Sequence, residues 1–327
     1  MQIWRDSHPA PAALRGAAVA IGNMDGVHLG HRALIAEARR IAAAAGTPSG
    51  VLSFEPHPRL LFQPDAEPFL LSEIDEKLAL LAGTGIDAGF VQSFDRALSL
   101  LSAEDFVAEI LVAKFGVSHV VIGEDFHFGH KRGGDVALLR RLGKAAGFGV
   151  TTVAPVPAPD GGVCSSSRIR SLLEAGKPAE AAGLLGRYWA LSGIVERGDQ
   201  RGRLLGFPTA NLRLGRLQRP LRGVYAVEAR IDGAGHEQDP WHAGVANYGR
   251  RPTVNDRGDL LEVHLLDFTG DLYGRRLIVR LIDFIRPEKK FDGLDALQAQ
   301  IALDSRTARD SLAAPRPDIP AAIGSAP

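Results

Sequence analysis

Two groups of residues in this 327-residue sequence have the types and spacing that phosphate chemistry asks for. The first is Gly22-Asn23-Met24-Asp25-Gly26-Val27-His28-Leu29-Gly30-His31, which follows an apolar run and precedes a helical pattern. A strand-to-helix corner gathers backbone N–H groups and the positive end of the helix at one point, where a phosphate binds well. Gly26 and Gly30 permit close backbone approach, and Gly22, Asn23 and Asp25 complete the candidate nucleotide-binding segment. His28 and His31 lie three apart. If the helix starts near Leu29 they face one phosphate, donating hydrogen bonds as negative charge builds in an in-line displacement. Such a pair also suits a metal, and His127 and His130 form a second one. No cysteine or third ligand stands nearby, and the glycines, which a metal cage does not need, favour phosphate. The second group is the stretch Gly198–Asn211, with Gly198, Gly202 and Gly206 at four-residue spacing and Pro208-Thr209-Ala210-Asn211 at its end. It reads as a flap whose N–H groups wrap a polyphosphate, and no G-x-x-x-x-G-K-[ST] loop competes for that role. The arginines between Arg187 and Arg222 fit that reading but equally a solvated face.

Those segments need elements to hold them. From Ala17 to about Pro155, apolar runs at Ala17–Ile21, Val51–Phe54, Gly89–Ser93, His119–Ile122 and Thr151–Ala154 alternate with helical patterns. The helices fall around Arg32–Ala45, Ser72–Ala82, Ser102–Phe115 and Asp135–Ala146, several with Ser or Asp before them and glycine after. This alternation predicts an α/β domain with a doubly wound parallel sheet. Ser166–Ala175 and Pro178–Leu185 read as two short helices closing it. After Tyr188, period-two alternation in Leu191–Glu196, Val224–Ile231, His242–Ala246, Leu260–Leu266 and Leu277–Phe284 predicts a small antiparallel β-barrel. Leu294, Leu297 and Ile301 place a C-terminal helix over Gly293–Arg309. The Pro/Ala/Gly-rich end reads as disordered. The expected division is 1–186, 187–311 and a tail at 312–327.

Composition narrows the function classes. Hydrophobic residues make up 45% and charged residues 23%, ordinary for a globular protein. Lys plus Arg and Asp plus Glu number 38 each, so no bulk field attracts nucleic acid or anionic membrane, and phosphate binding must be local. The N-terminus has no basic segment leading into an apolar run, no stretch is long enough to span a bilayer, and there is a single cysteine, Cys164. A cytoplasmic enzyme is expected, acting on small molecules with no nucleic-acid or membrane partner, as a monomer or weak homo-oligomer.

The ten-residue histidine segment resembles the G-x-F-D-G-x-H-x-G-H signature of bacterial bifunctional riboflavin kinase/FAD synthetases, of the HIGH-type nucleotidyltransferases. Ser53-Phe54-Glu55-Pro56-His57-Pro58 is similar to that family's T-F-E-P-H-P. Ile122-Gly123-Glu124-Asp125-Phe126-His127-Phe128-Gly129 resembles V-G-x-[ND]-F-x-F-G, and Ser165-Ser166-Ser167-Arg168-Ile169-Arg170 resembles S-S-T-x-I-R. Pro208-Thr209-Ala210-Asn211 resembles the P-T-A-N of riboflavin kinases, with further matches at Gly223–Val227, Gly244–Thr253, Glu262–Phe268 and Ile285–Phe291. The resemblance implies that His28 and His31 hold the ATP phosphates, and that Ser165, Ser166 and Arg168 clamp the β and γ groups. Seen alone, the serines equally cap a helix, which is compatible. Phe54, Pro56 and Asp125 would lie near flavin or nucleotide, Gly206 near phosphate, and Thr209 and Asn211 would hold Mg²⁺ and the ATP phosphates. Glu262 would take the proton of the riboflavin hydroxyl. The strand alternation puts Glu262 and His264 on one face opposite Val263 and Leu265; without its flanking motifs Glu262 would read as an exposed strand carboxylate. Met24 and Ser167 depart from the usual Phe and Thr, which predicts altered packing and at most a changed affinity. Two alternatives are a flavin-binding regulatory protein that has lost one activity, and another HIGH-type nucleotidyltransferase acting on pantetheine phosphate or nicotinamide mononucleotide. The intact polar residues speak against the first and the barrel against the second.

Overall fold

A computed structural model of the chain describes residues 1–5, 10–197, 206–232, 240–250, 259–316 and 319. The 198–205 part of the Gly198–Asn211 stretch read as a flap, the 251–253 part of the Gly244–Thr253 motif, and most of the tail expected to be disordered lie outside the described residues. Internal contacts divide the chain into two compact units, Met1–Glu67 with Ser72–Ser165, and Pro68–Leu71 with Ser166–Pro320.

The first unit contains β1 (Gln2–Arg5), β2 (Ala18–Ile21), α1 (Leu29–Ala45), β3 (Ser49–Glu55), α2 (Pro58–Phe62), α3 (Ile74–Ala82), β4 (Ala88–Ser93), α4 (Arg96–Leu100) and α5 (Ala103–Asp105). It continues through β5 (His119–Gly123), α6 (Val136–Ala146) and β6 (Gly149–Val153). From α5 the chain runs straight into a π-helix at Phe106–Phe115, which ends at the left-handed Gly116. The six strands lie in the order β1-β4-β3-β2-β5-β6, and every pairing is parallel. Both faces of this sheet are covered, which is why its strands read as unbroken apolar runs. Val19, Ile21, Leu52, Phe90, Val120 and Ile122 join one core, while Ala20, Val51 and Val121 join another with Met24 and Ile35. From β2 the chain steps outward to β3 and β4 on one side and to β5 and β6 on the other. At such a reversal the loops leaving neighbouring strands diverge and open a crevice at the carboxyl edge. The exposed edge strand β1 escaped the sequence reading, because Gln2–Arg5 has no period-two pattern.

The second unit begins with α7 (Ser166–Glu174) and α8 (Pro178–Leu185). Six antiparallel strands follow: β7 (Ala190–Ile194), β8 (Ala210–Arg213), β9 (Gly223–Asp232), β10 (His242–Arg250), β11 (Asp259–Leu265) and β12 (Arg276–Pro287). The helix α9 (Leu294–Ala313) ends it. The order β7-β12-β9-β10-β11-β8 is nearly closed, because Glu196 just beyond β7 bridges Asn211 on β8. The sequence reading missed β8, which has only four residues and follows a proline. α9 packs Ala308 and Leu312 on Val224, Ala226 and Val245. Pro68–Leu71 joins this unit through the Phe69 and Leu70 N–H groups on Arg216 O and through the buried Trp189 indole N–H, 2.8 Å from Leu71 O.

Arg286 of β12 is clamped to Asp304 of α9. Its Nε and Nη2 lie 2.9 and 2.7 Å from the two carboxylate oxygens, and Gln300 donates to the same group. Asp304 is buried and Arg286 mostly so. Removing one partner of a buried pair strands the other charge. Asp304→Ala is therefore expected to destabilise the unit by about 3 kcal/mol, read as an earlier unfolding transition of the purified variant. An unchanged transition would refute the clamp.

Candidate active sites

At the corner after β2 the structure brings the two histidines together at the start of a helix. α1 begins at Leu29, with His28 as its N-cap; His28 Nδ1 accepts the His31 N–H at 3.3 Å. The two imidazoles stack, with ring centroids 3.6 Å apart and planes 20° from parallel. Because Nδ1 of His28 accepts, its neutral ring carries the proton on Nε2, which leaves Nε2–H to donate. The loop coils through three left-handed residues, Met24, Gly26 and Val27. Only glycine adopts that region at no cost, so Met24 and Val27 are held there by the core that buries both. The Met24 departure therefore lies in the packing beneath the loop.

Interactions distant in sequence brace this loop. The Asp25 carboxylate accepts the Ser72 N–H at 3.2 Å, and Ser72 Oγ accepts the Gly26 N–H at 3.1 Å; Asp25 and Ser72 are both buried. Asn23 O accepts from Ser53 Oγ at 3.0 Å and lies 3.5 Å from Lys77 Nζ, which also reaches Phe54 O and, at 3.3 Å, Glu55 Oε2. Lys77 is only 4% exposed, so its charge is spent on tying the ends of β2 and β3 together. Cys164 is buried with Sγ 3.6 Å from His28 Nδ1, and burial pushes its thiol pKa up against the pull of the Leu29 and Gly30 N–H groups. The sequence reading named none of Ser72, Lys77 and Cys164 as site residues. No signal marks the first two, whose partners stand 46 to 54 positions away for the loop contacts.

Gly30 has a steric role. A Cβ there would stand 3.0 Å from His28 Cε1 and 3.1 Å from Nδ1. Gly30→Ala should push the imidazole aside and slow chemistry at this corner by about tenfold or more. The second unit's activity serves as an internal control, and equal loss of both would point to misfolding.

Phe54 and the exposed Pro56 stand at the end of β3, and Asp125 is exposed on the turn after β5, so all three reach the same carboxyl edge. The Phe54 ring meets Phe94 at 5.9 Å, and Phe94 meets the exposed Phe62 at 6.0 Å, an aromatic path that the sequence reading did not pick out. Ser165 ends the first unit; Ser166 and Arg168 stand on the first turn of α7, grouped with the second.

In the barrel, Glu262 of β11 lies directly opposite Asn211 of β8 on one side and Asn247 of β10 on the other. Directly opposed residues point to the same face, so three polar side chains form a row across three strands. Burial follows the expected alternation, with Val263 and Leu265 buried and Glu262 and His264 half-exposed. Thr209 and Asn211 line a cavity of about 660 Å³ together with Arg197, Phe268 and Tyr273, which β11 faces with Val263 and Leu265, so Glu262 meets Asn211 at its border through the cross-strand row. Gly206, left-handed at φ 85°, opens the turn before it. Asn211 is buried, and its Oδ1 has no hydrogen-bond partner among the described residues. A buried carbonyl oxygen in that state, two residues from a hydroxyl, suits a hard cation that takes few protein oxygens and several from phosphate. Among the described residues no cluster of His, Cys, Asp or Glu makes a metal cage, and no helix is long and apolar enough to cross a membrane.

Comparison with known proteins finds two families along the chain. The sequence model of the FAD synthetase family matches residues 10–168, and that of riboflavin kinase matches residues 185–312. The bifunctional riboflavin kinase/FMN adenylyltransferase of Escherichia coli K12 is 42% identical over 97% of this chain and 100% of its own length. The protein of the same description from Pseudomonas fluorescens is 44% identical over 96% and 99%. A crystal structure from Streptococcus pneumoniae, described as a macrolide-efflux protein, superimposes with a TM-score of 0.82 at 28% identity. It covers 94% of this chain and 99% of that one.

Proposed function

Since this chain belongs to the family of bifunctional riboflavin kinase/FMN adenylyltransferases, we propose that its barrel corner and its strand-to-helix corner carry the two successive steps of flavin nucleotide synthesis. The protein is an enzyme that phosphorylates riboflavin to FMN with ATP and adenylylates FMN to FAD with release of pyrophosphate. The observation that carries the assignment of sites is the pairing of two separate constructions, stacked imidazoles at a helix N-terminus and a carboxylate opposite a buried asparagine oxygen.

For the first step, the riboflavin terminal hydroxyl attacks the γ-phosphorus of ATP, its proton passes to the Glu262 carboxylate, and ADP leaves. Position supports Glu262: it shares a row with Asn211 and Asn247, and a carboxylate within reach of the attacking hydroxyl is the base this chemistry needs. Thr209 and Asn211 would hold Mg²⁺, which when bound neutralises triphosphate charge. Gly206 and Arg197 flank the phosphates.

For the second step, an FMN phosphate oxygen attacks the α-phosphorus of ATP as the bond to the β-phosphate oxygen breaks. Two anions must be brought together, so the protein's work is positioning and charge stabilisation. The Nε2–H of His28 and the ring of His31 would donate to the phosphates over Gly22, Asn23, Gly26 and Gly30, with Asp25 fixing the loop from behind. Ser165, Ser166 and Arg168 would clamp the β and γ groups. Phe54 and Pro56 would seat the flavin, with Phe62 and Phe94 extending the aromatic wall and Asp125 beside it. Such an enzyme works where ATP and Mg²⁺ are held, the cytoplasm, on small molecules alone. The test is direct: purified protein incubated with riboflavin, ATP and Mg²⁺ should yield FMN and then FAD. Failure to form either would sink the reading.

A further inference from the structure

We propose that His264 is a positioning residue of the riboflavin-phosphorylating site, holding the Phe207-Pro208-Thr209 backbone at the spacing from Glu262 that the reaction requires. The proposal rests on the assignment of that step to the barrel. Its starting point is a gap in the sheet. The β8–β11 ladder begins with Ala210 opposite Val263. Proline has no N–H to continue it, so Pro208 and Thr209 lie just beyond the last ladder pair. His264 is one step past Val263 on β11, and its Nδ1 lies 2.9 Å from Pro208 O. The side chain of His264 thus ties the Pro208 carbonyl to β11 beyond the end of the ladder.

The geometry sets the tautomer. A carbonyl oxygen only accepts, so Nδ1 carries the proton and donates it. The ring is steadied further by Phe207, which meets it edge-on with centroids 5.4 Å apart and planes at 80°. Both contacts fall on the two residues immediately before Thr209, so the imidazole controls where that hydroxyl sits. Glu262 and His264 are two apart on one strand and share a face. β11 therefore holds the base with one residue and braces the oxygen-bearing segment with the next but one.

The test exploits which nitrogen is used. An asparagine amide N–H occupies nearly the position of a histidine Nδ1–H, whereas glutamine carries its amide one bond further out. His264→Ala and His264→Gln are expected to lower kcat for FMN formation, raise KM for ATP and weaken MgADP binding measured by calorimetry. Losing a group that orients ligand residues commonly costs about 10–100-fold. His264→Asn should recover most of that loss, and conversion of supplied FMN to FAD should be unchanged in all three. Wild-type kinetics in His264→Ala, or an asparagine variant no better than glutamine, would overturn the proposal. If the alanine variant fails to fold, ¹⁵N NMR of the wild-type imidazole decides. A neutral ring protonated on Nδ1 supports the proposal; protonation on Nε2 alone overturns it. Absence of FMN formation by the wild-type protein would instead strike the assignment of the kinase step, a distinguishable failure.

Discussion

Glu262→Gln is expected to reduce FMN formation from riboflavin by about 10²–10⁴-fold while leaving the conversion of supplied FMN to FAD intact. Glutamine keeps the shape of the side chain and its place in the Asn211–Glu262–Asn247 row, so the cross-strand register and the barrel should survive. What it loses is the capacity to take a proton: the attacking hydroxyl must then release it to water or leave it in place as the bond to phosphorus forms. The loss should fall on kcat with little change in KM for riboflavin, because the interaction removed exists chiefly in the transition state. Product analysis with riboflavin and then FMN as starting material reads both outcomes. Equal loss of both activities, or no loss, would show that Glu262 is not the base.

The reverse pattern is expected of His31→Ala: FAD formation falls by about 10²–10³-fold, and FMN made from riboflavin accumulates. The stacked arrangement makes this residue informative. His31 lies flat against His28 and its own N–H is accepted by His28 Nδ1, so the backbone end of the arrangement stays when only the ring is removed. The loss then reports the missing donor at the phosphates. Retention of FAD synthesis would show that the imidazole pair does not touch the reacting groups.

The two corners differ in how far they could be read before folding. The phosphate segment is contiguous: Gly22 to His31 carries its glycines, cap and imidazoles within one turn of chain, and the helix does begin at Leu29. The strands and helices around it were recognisable because burial on both faces leaves unbroken apolar runs, and half-burial in the barrel leaves alternation. Where that signal thins, the sequence was silent. β1 is an exposed edge, and β8 is four residues behind a proline whose strand character depends on Glu262 and Leu261 lying opposite.

Sequence by itself determined the two chemistries and supplied the residues proposed for them, because each side chain's capacity to donate, accept or take a proton is a property of its type. Tertiary structure alone decided what holds those residues still. Lys77 became a tie between strand ends, Ser72 a brace for the glycine loop, Arg286 a clamp on α9, and His264 a tie from β11 to the Pro208 carbonyl. The physical reason is that hydrogen bonds act over about 3 Å. Partners tens of positions apart come within that distance only when a parallel sheet or a closing barrel sets the register between them.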